Sequence, residues 1–317
     1  MDSIFTDPER QQEFARNGYT LVRLLSGEEA VGLCRRIEAL ELGKGFARNS
    51  PNPYHATYFD EDVGYRRAAF EFVRSAIEDR AAALLNDYRI VTAGFVVKRP
   101  GDGPVSLHRD WTLTADPGQV TLNFWCPLVD ADEANGTLRL VAGTHRLVPN
   151  VETAHVPSYF ASYGEAIKRL AVPVRVKAGE ALIFDSGMLH WSAENGSAEP
   201  RPALLATWIP RASQAVFYAL DTDGGGRRFE LFDMEDGALV EHRPEQLASR
   251  DFDRPSVGFV DNRNQPVPQH QFERLLESRG FPARPEDDEA TGEQGLLRSL
   301  YRRVSAVAGG QRLRSHS

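Results

Sequence analysis

The stretch Ser106-Leu107-His108-Arg109-Asp110-Trp111 sets an imidazole and a carboxylate one residue apart. In a β-strand residues i and i+2 project from the same face, so this spacing aims His108 and Asp110 at one point. The pair suits a divalent iron site, provided that another histidine reaches the same point from elsewhere in the fold. Alone it is a weak signal, because His-x-Asp arises by chance in many chains. Its setting is more informative. Residues 89–98, 105–109, 119–128, 137–141, 172–177, 181–184, 188–192 and 203–209 read as short strands punctuated by Gly, Pro and Asn. So many strands in succession, with few helices between them, predict a β-sandwich or jelly roll and not a parallel α/β sheet.

Ahead of the strands the texture is helical. Asp7-Pro8-Glu9 suits a helix start, and Asn17-Gly18 suits its end. Residues 19–25 read as a strand. Ser26-Gly-Glu-Glu29 has the capping-box pattern and leads into Ala30, Leu33, Cys34, Ile37 and Leu40 at helical spacing. Residues 43–63, which include His55 and Tyr58, form a long loop, either a lid or a surface excursion. A third helix is predicted over roughly residues 65–86, a short one within 150–171 and a late one over 269–278. Gly224-Gly225-Gly226 lies in a surface loop and lacks the lysine and strand context of a phosphate cradle. One domain over 1–280 is expected, with 281–317 an acidic linker followed by a basic helix or tail.

The bulk properties exclude several classes. A formal net charge of -8 argues against nucleic-acid binding, which needs a basic surface. No apolar run approaches the roughly 20 residues of a membrane span, and the N-terminus lacks the pattern of a secretory signal. Two cysteines in unrelated contexts, Cys34 and Cys126, give neither a disulfide framework nor a thiolate metal site. The expectation is a cytoplasmic enzyme acting on a small molecule, with its oligomeric state open.

The third ligand should lie on a late strand facing His108 and Asp110. His190 fits, between the segment Gly179–Gly187 and the Asn195-Gly196 turn; His145, in Gly143-Thr-His-Arg146, is the competitor. The segments "EFARNGYTLVRLLSGEEAVGLCRRIEAL", "LNFWCPLVDADEANGTLRLVAGTHR" and "AGEALIFDSGMLHWSAENGSAEPRPAL", in this order around His-x-Asp, resemble the phytanoyl-CoA dioxygenase family of iron(II)/2-oxoglutarate oxygenases. The resemblance covers most of residues 10–210. In that family the distal histidine is followed eleven residues later by an arginine that pairs with the far carboxylate of 2-oxoglutarate. Eleven residues after His190 is Arg201, whereas the same step from His145 reaches Val156.

The resemblance therefore implies a double-stranded β-helix (a cupin-like jelly roll) over about residues 89–210, mainly β with flanking N-terminal helices packed on one sheet. It implies His108, Asp110 and His190 as iron ligands, Arg201 and Ser192 as anchors of 2-oxoglutarate, and dioxygen as oxidant, with ascorbate stimulatory. Asn123 is a further candidate contact for the 2-oxo acid, and Lys98, Arg109 and Trp111 for substrate. His145 is then a turn residue. Halogenating relatives carry a small residue where Asp110 stands, so the resemblance points to hydroxylation of a small polar molecule or biosynthetic intermediate. Desaturation, cyclisation or demethylation by the same iron chemistry, and a non-catalytic binding module, are the alternatives.

Overall fold

The computed structural model describes residues 3–40, 46, 53–235 and 237–282. Helix α1 (Pro8–Asn17) starts where the Asp7 carboxylate accepts from the Glu9 N–H and ends at Gly18, whose φ is +83°. Gly18 is needed twice over. Its conformation is left-handed, and a Cβ there would collide with the His145 ring and Met188. After β1 (Tyr19–Arg23), helix α2 (Gly27–Leu40) opens on the reciprocal Ser26–Glu29 capping box, with the Ser26 N–H to Glu29 at 2.8 Å and the Glu29 N–H to Ser26 at 3.2 Å.

Next come β2 (His55–Ala56), a 3₁₀ turn (Thr57–Phe59), α3 (Val63–Ala82) and the strands β3 (Tyr88–Lys98), β4 (Val105–His108), β5 (Leu122–Pro127) and β6 (Leu138–Leu140). A short α4 (Gly164–Lys168) precedes β7 (Val172–Pro173), β8 (Glu180–Asp185), β9 (His190–Ser192) and β10 (Arg201–Pro210). The strands form a six-stranded sheet in the order β1-β8-β5-β10-β3-β2 and a four-stranded sheet in the order β4-β9-β6-β7. All pairings within both are antiparallel. This arrangement is consistent with the expected jelly roll.

Alternation along the strands of the larger sheet divides the core in two. Phe95, Val97, Phe124, Ile183, Leu204 and Ala206 join one buried cluster with Ala30, Leu33, Phe72 and Ile77 of α2 and α3. Their neighbours Val96, Trp125, Leu182, Phe184 and Ala203 join a different cluster with Leu140 and Val174 from the smaller sheet. With both faces covered, these strands read as nearly unbroken apolar runs, which is why the sequence marks them clearly. By the same parity Lys98, Asn123, Arg201 and Thr207 share the inner face with Val96, Trp125 and Ala203.

The chain beyond residue 210 differs from expectation. A third, three-stranded sheet of β11 (Val216–Leu220), β12 (Arg228–Asp233) and β13 (Ser256–Asp261) forms there, with α5 (Ala238–Glu241) and α6 (Pro244–Ser249) between its last two strands. The triple-glycine segment is the turn joining β11 to β12. The predicted strand over 172–177 is short, since only Val172–Pro173 pairs in a sheet and Val176 makes an isolated bridge with Ala131. The late helix α7 (Gln269–Ser278) forms as predicted. Phe281, assigned to the linker, packs instead on the cluster around Phe272 and Leu276. The rest of the expected linker and tail, from 283 on, lies outside the described residues, as do residues 41–42 and, of the long loop, 43–45 and 47–52. Among the described residues no helix is long and apolar enough to cross a membrane.

Candidate metal centre and its cavity

Two strands of the smaller sheet bring the donors together. β4 and β9 pair antiparallel with His108 opposite His190, and their rings lie 4.1 Å apart between centroids. Asp110 follows β4 and is positioned by its own N–H, which donates to the Ser186 carbonyl at 3.1 Å. His108 Nε2 lies 3.7 Å from Asp110 Oδ1, and His190 Nε2 lies 3.7 Å from Asp110 Oδ2. One donor atom from each residue falls within 4.8 Å of the others, the only such grouping among the described residues.

The surroundings show that these residues suit a metal. His108 Nδ1 is 2.7 Å from the Ser106 carbonyl and His190 Nδ1 is 3.0 Å from the Met188 carbonyl. A carbonyl only accepts, so each Nδ1 carries the proton and each Nε2 presents its lone pair to the common point. Burial first, and then the neighbouring His108, lower His190 to about 4, which keeps its ring neutral, as a ligand must be. The Asn123 amide donates to Asp110 Oδ2 at 2.5 Å and to Ser186 Oγ at 3.1 Å, while Thr207 Oγ1 donates to Asn123 Oδ1 at 2.8 Å. Asn123 thus orients the carboxylate through a chain that begins on β10.

Deeper on the inner face lies a cationic pair. Lys98 and Arg201 stand opposite each other across the β3–β10 ladder, and both are buried. Arg201 donates from Nε to the Asn135 carbonyl at 3.0 Å and stacks 5.0 Å above Trp125, but its buried Nη1 has no partner. A buried guanidinium nitrogen left in that state is costly, and an anionic ligand would satisfy it. Burial lowers Arg201 only to about 10, so it stays cationic at neutral pH. Lys98 donates to Ser192 Oγ at 2.9 Å and to the Ala193 carbonyl; burial and then Arg201 lower it to about 7. Both line the same cavity of about 460 Å³ as the triad.

Other expected residues are placed differently. His145 is apart from the triad, buried, with Nε2 3.2 Å from the Ala15 carbonyl. Arg109 borders the cavity, but its guanidinium engages Glu152 at 3.1 Å and the carbonyls of Val148 and Asn150, so it is occupied within the protein. Trp111 lines the cavity and packs on Phe217, with ring centroids 5.5 Å apart. Sequence patterns did not single out Thr207, while the outer wall falls in the 43–63 loop and the region beyond 210, where substrate is expected without particular residues, apart from Tyr58, being named. Thr207 was within reach, since it shares strand parity with Arg201. The wall, made by Tyr54, Tyr58 and Phe59 on one side and Leu239, His242 and Leu247 on the other, carries no motif.

A jelly roll presenting a His-x-Asp…His set beside a buried arginine defines the class of cupin-like metal oxygenases. The phytanoyl-CoA dioxygenase (PhyH) model matches residues 14–203, and the chain belongs to that family. Dioxygenase FUM3 of Gibberella moniliformis is 26% identical over 127 residues, 38% of each chain. Phytanoyl-CoA dioxygenase 1 of Oryza sativa subsp. japonica is 31% identical over 123 residues, 36% of this chain and 42% of that one. The matches thus span about two fifths of the length of these curated relatives. Among solved structures, the non-heme alpha-ketoglutarate-dependent carbocyclase SnoK from nogalamycin biosynthesis is similar, with a TM-score of 0.50 at 20% identity. That match covers 66% of this chain and 86% of SnoK. A likeness at this level speaks to the fold.

Proposed function

We propose that the protein is an iron(II)- and 2-oxoglutarate-dependent dioxygenase that hydroxylates an unactivated C–H bond of a small organic substrate. The observation that carries this reading is the pairing, in one cavity, of three converging metal donors with a buried arginine whose Nη1 has no partner. His108, Asp110 and His190 would hold the metal on one face, leaving the opposite positions to exogenous ligands. When bound, iron(II), 2-oxoglutarate and dioxygen supply an oxidative decarboxylation that releases succinate and CO2 and provides the oxidant for C–H cleavage.

The chain's own residues set the conditions for that chemistry. Arg201 offers a planar, permanently charged fork to the distal carboxylate, and Ser192 lies within reach of the same end through Lys98. The Nδ1 bonds of both histidines fix which nitrogen faces the metal, and Asn123 fixes the carboxylate. Trp125, Phe184 and Leu205 line the cavity with apolar surface and keep its floor dry. Whether hydroxylation, desaturation or ring closure follows depends on where substrate is held. Asp110 favours halide-free oxidation by occupying the place a halide would need.

The test is stoichiometric. Purified protein given iron(II), ascorbate and 2-oxoglutarate should form succinate, with each omission lowering the yield, and His108→Ala should abolish it. Absence of 2-oxoglutarate binding or turnover, with His108→Ala behaving like the parent, would overturn the proposal.

A further inference from the structure

The outer part of the cavity contrasts with its floor. Among the described residues lining it, the charged groups are all accounted for. The triad faces the metal position, and Lys98 and Arg201 form the deep cationic pair. Arg109 is held by Glu152 and two carbonyls. Away from these groups the walls are Phe59, Trp111, Leu113, Leu239 and Leu247. A charged substrate buried against such a surface would leave its charge uncompensated and incur its full desolvation penalty. A neutral one would gain from aromatic faces and apolar area.

Hydrogen-bonding capacity without charge is also present. Burial holds the Tyr58 phenol far above its ordinary range, so it is a neutral hydroxyl, and the negative charge of Asp110 nearby acts in the same direction. His242 Nδ1–H donates to the Ala238 carbonyl at 2.9 Å, which makes Nε2 the acceptor in the neutral ring. The two walls are fixed by one side chain. Arg66, buried on α3, donates from Nε to Val240 O at 2.8 Å, from Nη1 to Asp60 O at 2.6 Å and from Nη2 to Glu241 O. It thereby ties the turn that carries Tyr58 and Phe59 to the segment that carries Leu239 and His242.

Resting on the oxygenase reading above, we infer that the primary substrate is a neutral, largely apolar ring compound. It lies between the 57–59 turn and the α5–α6 segment, with Tyr58 and His242 as its hydrogen-bonding partners. Amino acids and acyl-CoA thioesters fit this reading poorly, because their charges would meet no free counter-charge among the described residues of the outer cavity. One side of the specificity wall, Leu239, His242 and Leu247, lies beyond the family-matched span, which ends at residue 203.

Two probes of one ring framework test the inference: neutral N-phenyl-1-naphthylamine and its anionic counterpart 8-anilinonaphthalene-1-sulfonate. Full-length protein is loaded with manganese(II) and N-oxalylglycine, and each probe is titrated by fluorescence. The neutral probe should bind at least tenfold more tightly than the sulfonate. Leu239→Asp on one wall and Phe59→Gln on the other should each weaken it at least fivefold, while leaving the thermal shift produced by manganese and N-oxalylglycine unchanged. Leu239 is only half-buried, so its substitution spares the fold. Equal or tighter binding of the sulfonate, or neutral-probe binding indifferent to both substitutions, overturns the substrate class. Loss of the manganese and N-oxalylglycine shift in the parent protein would instead overturn the oxygenase reading itself.

Discussion

The two halves of the cavity are built on different principles. The inner half is set by donor chemistry: three metal-facing groups, a guanidinium with an unpartnered nitrogen, and a hydrogen-bond chain from Thr207 through Asn123 to Asp110. The outer half is set by shape, with aromatic and aliphatic walls held at a fixed distance by Arg66. Few residue types can fill the inner positions. Many combinations of apolar side chains could make the outer walls, so on the proposed function reaction type and substrate choice would be carried by separate parts of the molecule.

The difference can be broken most sharply at the triad. Asp110→Ala should lower 2-oxoglutarate-dependent succinate formation by about a thousandfold or more, which corresponds to roughly 4 kcal/mol of lost stabilisation. Rates within tenfold of the parent would show that the carboxylate is not a ligand. Next in size is Arg201→Lys. It keeps the charge but loses the fork, and should raise the Kd for 2-oxoglutarate, measured by anaerobic titration, about a hundredfold. Full rescue by lysine would mean that charge alone is read.

On the shape-built side, Arg66→Met leaves three backbone carbonyls without their donor and should cost about 2–3 kcal/mol in urea unfolding. It should loosen neutral-probe binding while 2-oxoglutarate affinity stays within about twofold, a separation measurable in one preparation. If both affinities fell together, the halves would not be independent.

A fourth test concerns the frame behind the metal strands. Burial, and then Arg279, lower His145 to about 4, below its unfolded value near 6.5. The unfolded chain therefore binds the extra proton between these values, and stability falls as pH drops through that window, by about 2 kcal/mol from pH 7 to pH 5. Asp185 acts in the opposite sense, because burial raises it to about 6 and the folded state takes up its proton first. His190, likewise lowered to about 4, adds to the loss, so the parent should be less stable at pH 5 than at pH 7, and His145→Leu should gain on it by about 2 kcal/mol at pH 5 relative to pH 7 in urea titrations. The smallest effect is expected at Asn123→Val, where loss of the bond to Asp110 should weaken iron(II) binding about tenfold by competition with a chelator.

Much of the inner half is legible from residues alone. The spacing of His108 and Asp110 announces that they converge, although β4 ends at His108 and Asp110 follows it outside the strand, held by its N–H on the Ser186 carbonyl, and strand parity places Asn123 with Trp125. His190 is separable from His145 only through the arginine eleven residues later, a register taken from the family resemblance and not from periodicity. Capping at Asp7 and Ser26 marks the first two helices because the cap is a local interaction between near neighbours. The sheet beyond residue 210 is not marked in this way. Its last strand is largely exposed and pairs with β12 only across the intervening α5 and α6.

Sequence by itself determined the strand-rich core, both ends of the first helix, the start of the second and the nearness of His108 to Asp110, since each depends on periods of two or 3.6 residues or on contacts within one turn. Only the tertiary structure decided which histidine proton points away from the metal, that Arg109 is taken up by Glu152, and that Tyr58 and Leu239 face one cavity. Those outcomes depend on where distant backbone carbonyls and side chains come to rest. Arg66 shows the reason plainly: one guanidinium on α3 joins carbonyls at residues 60 and 240, and no local pattern in the chain records that they meet.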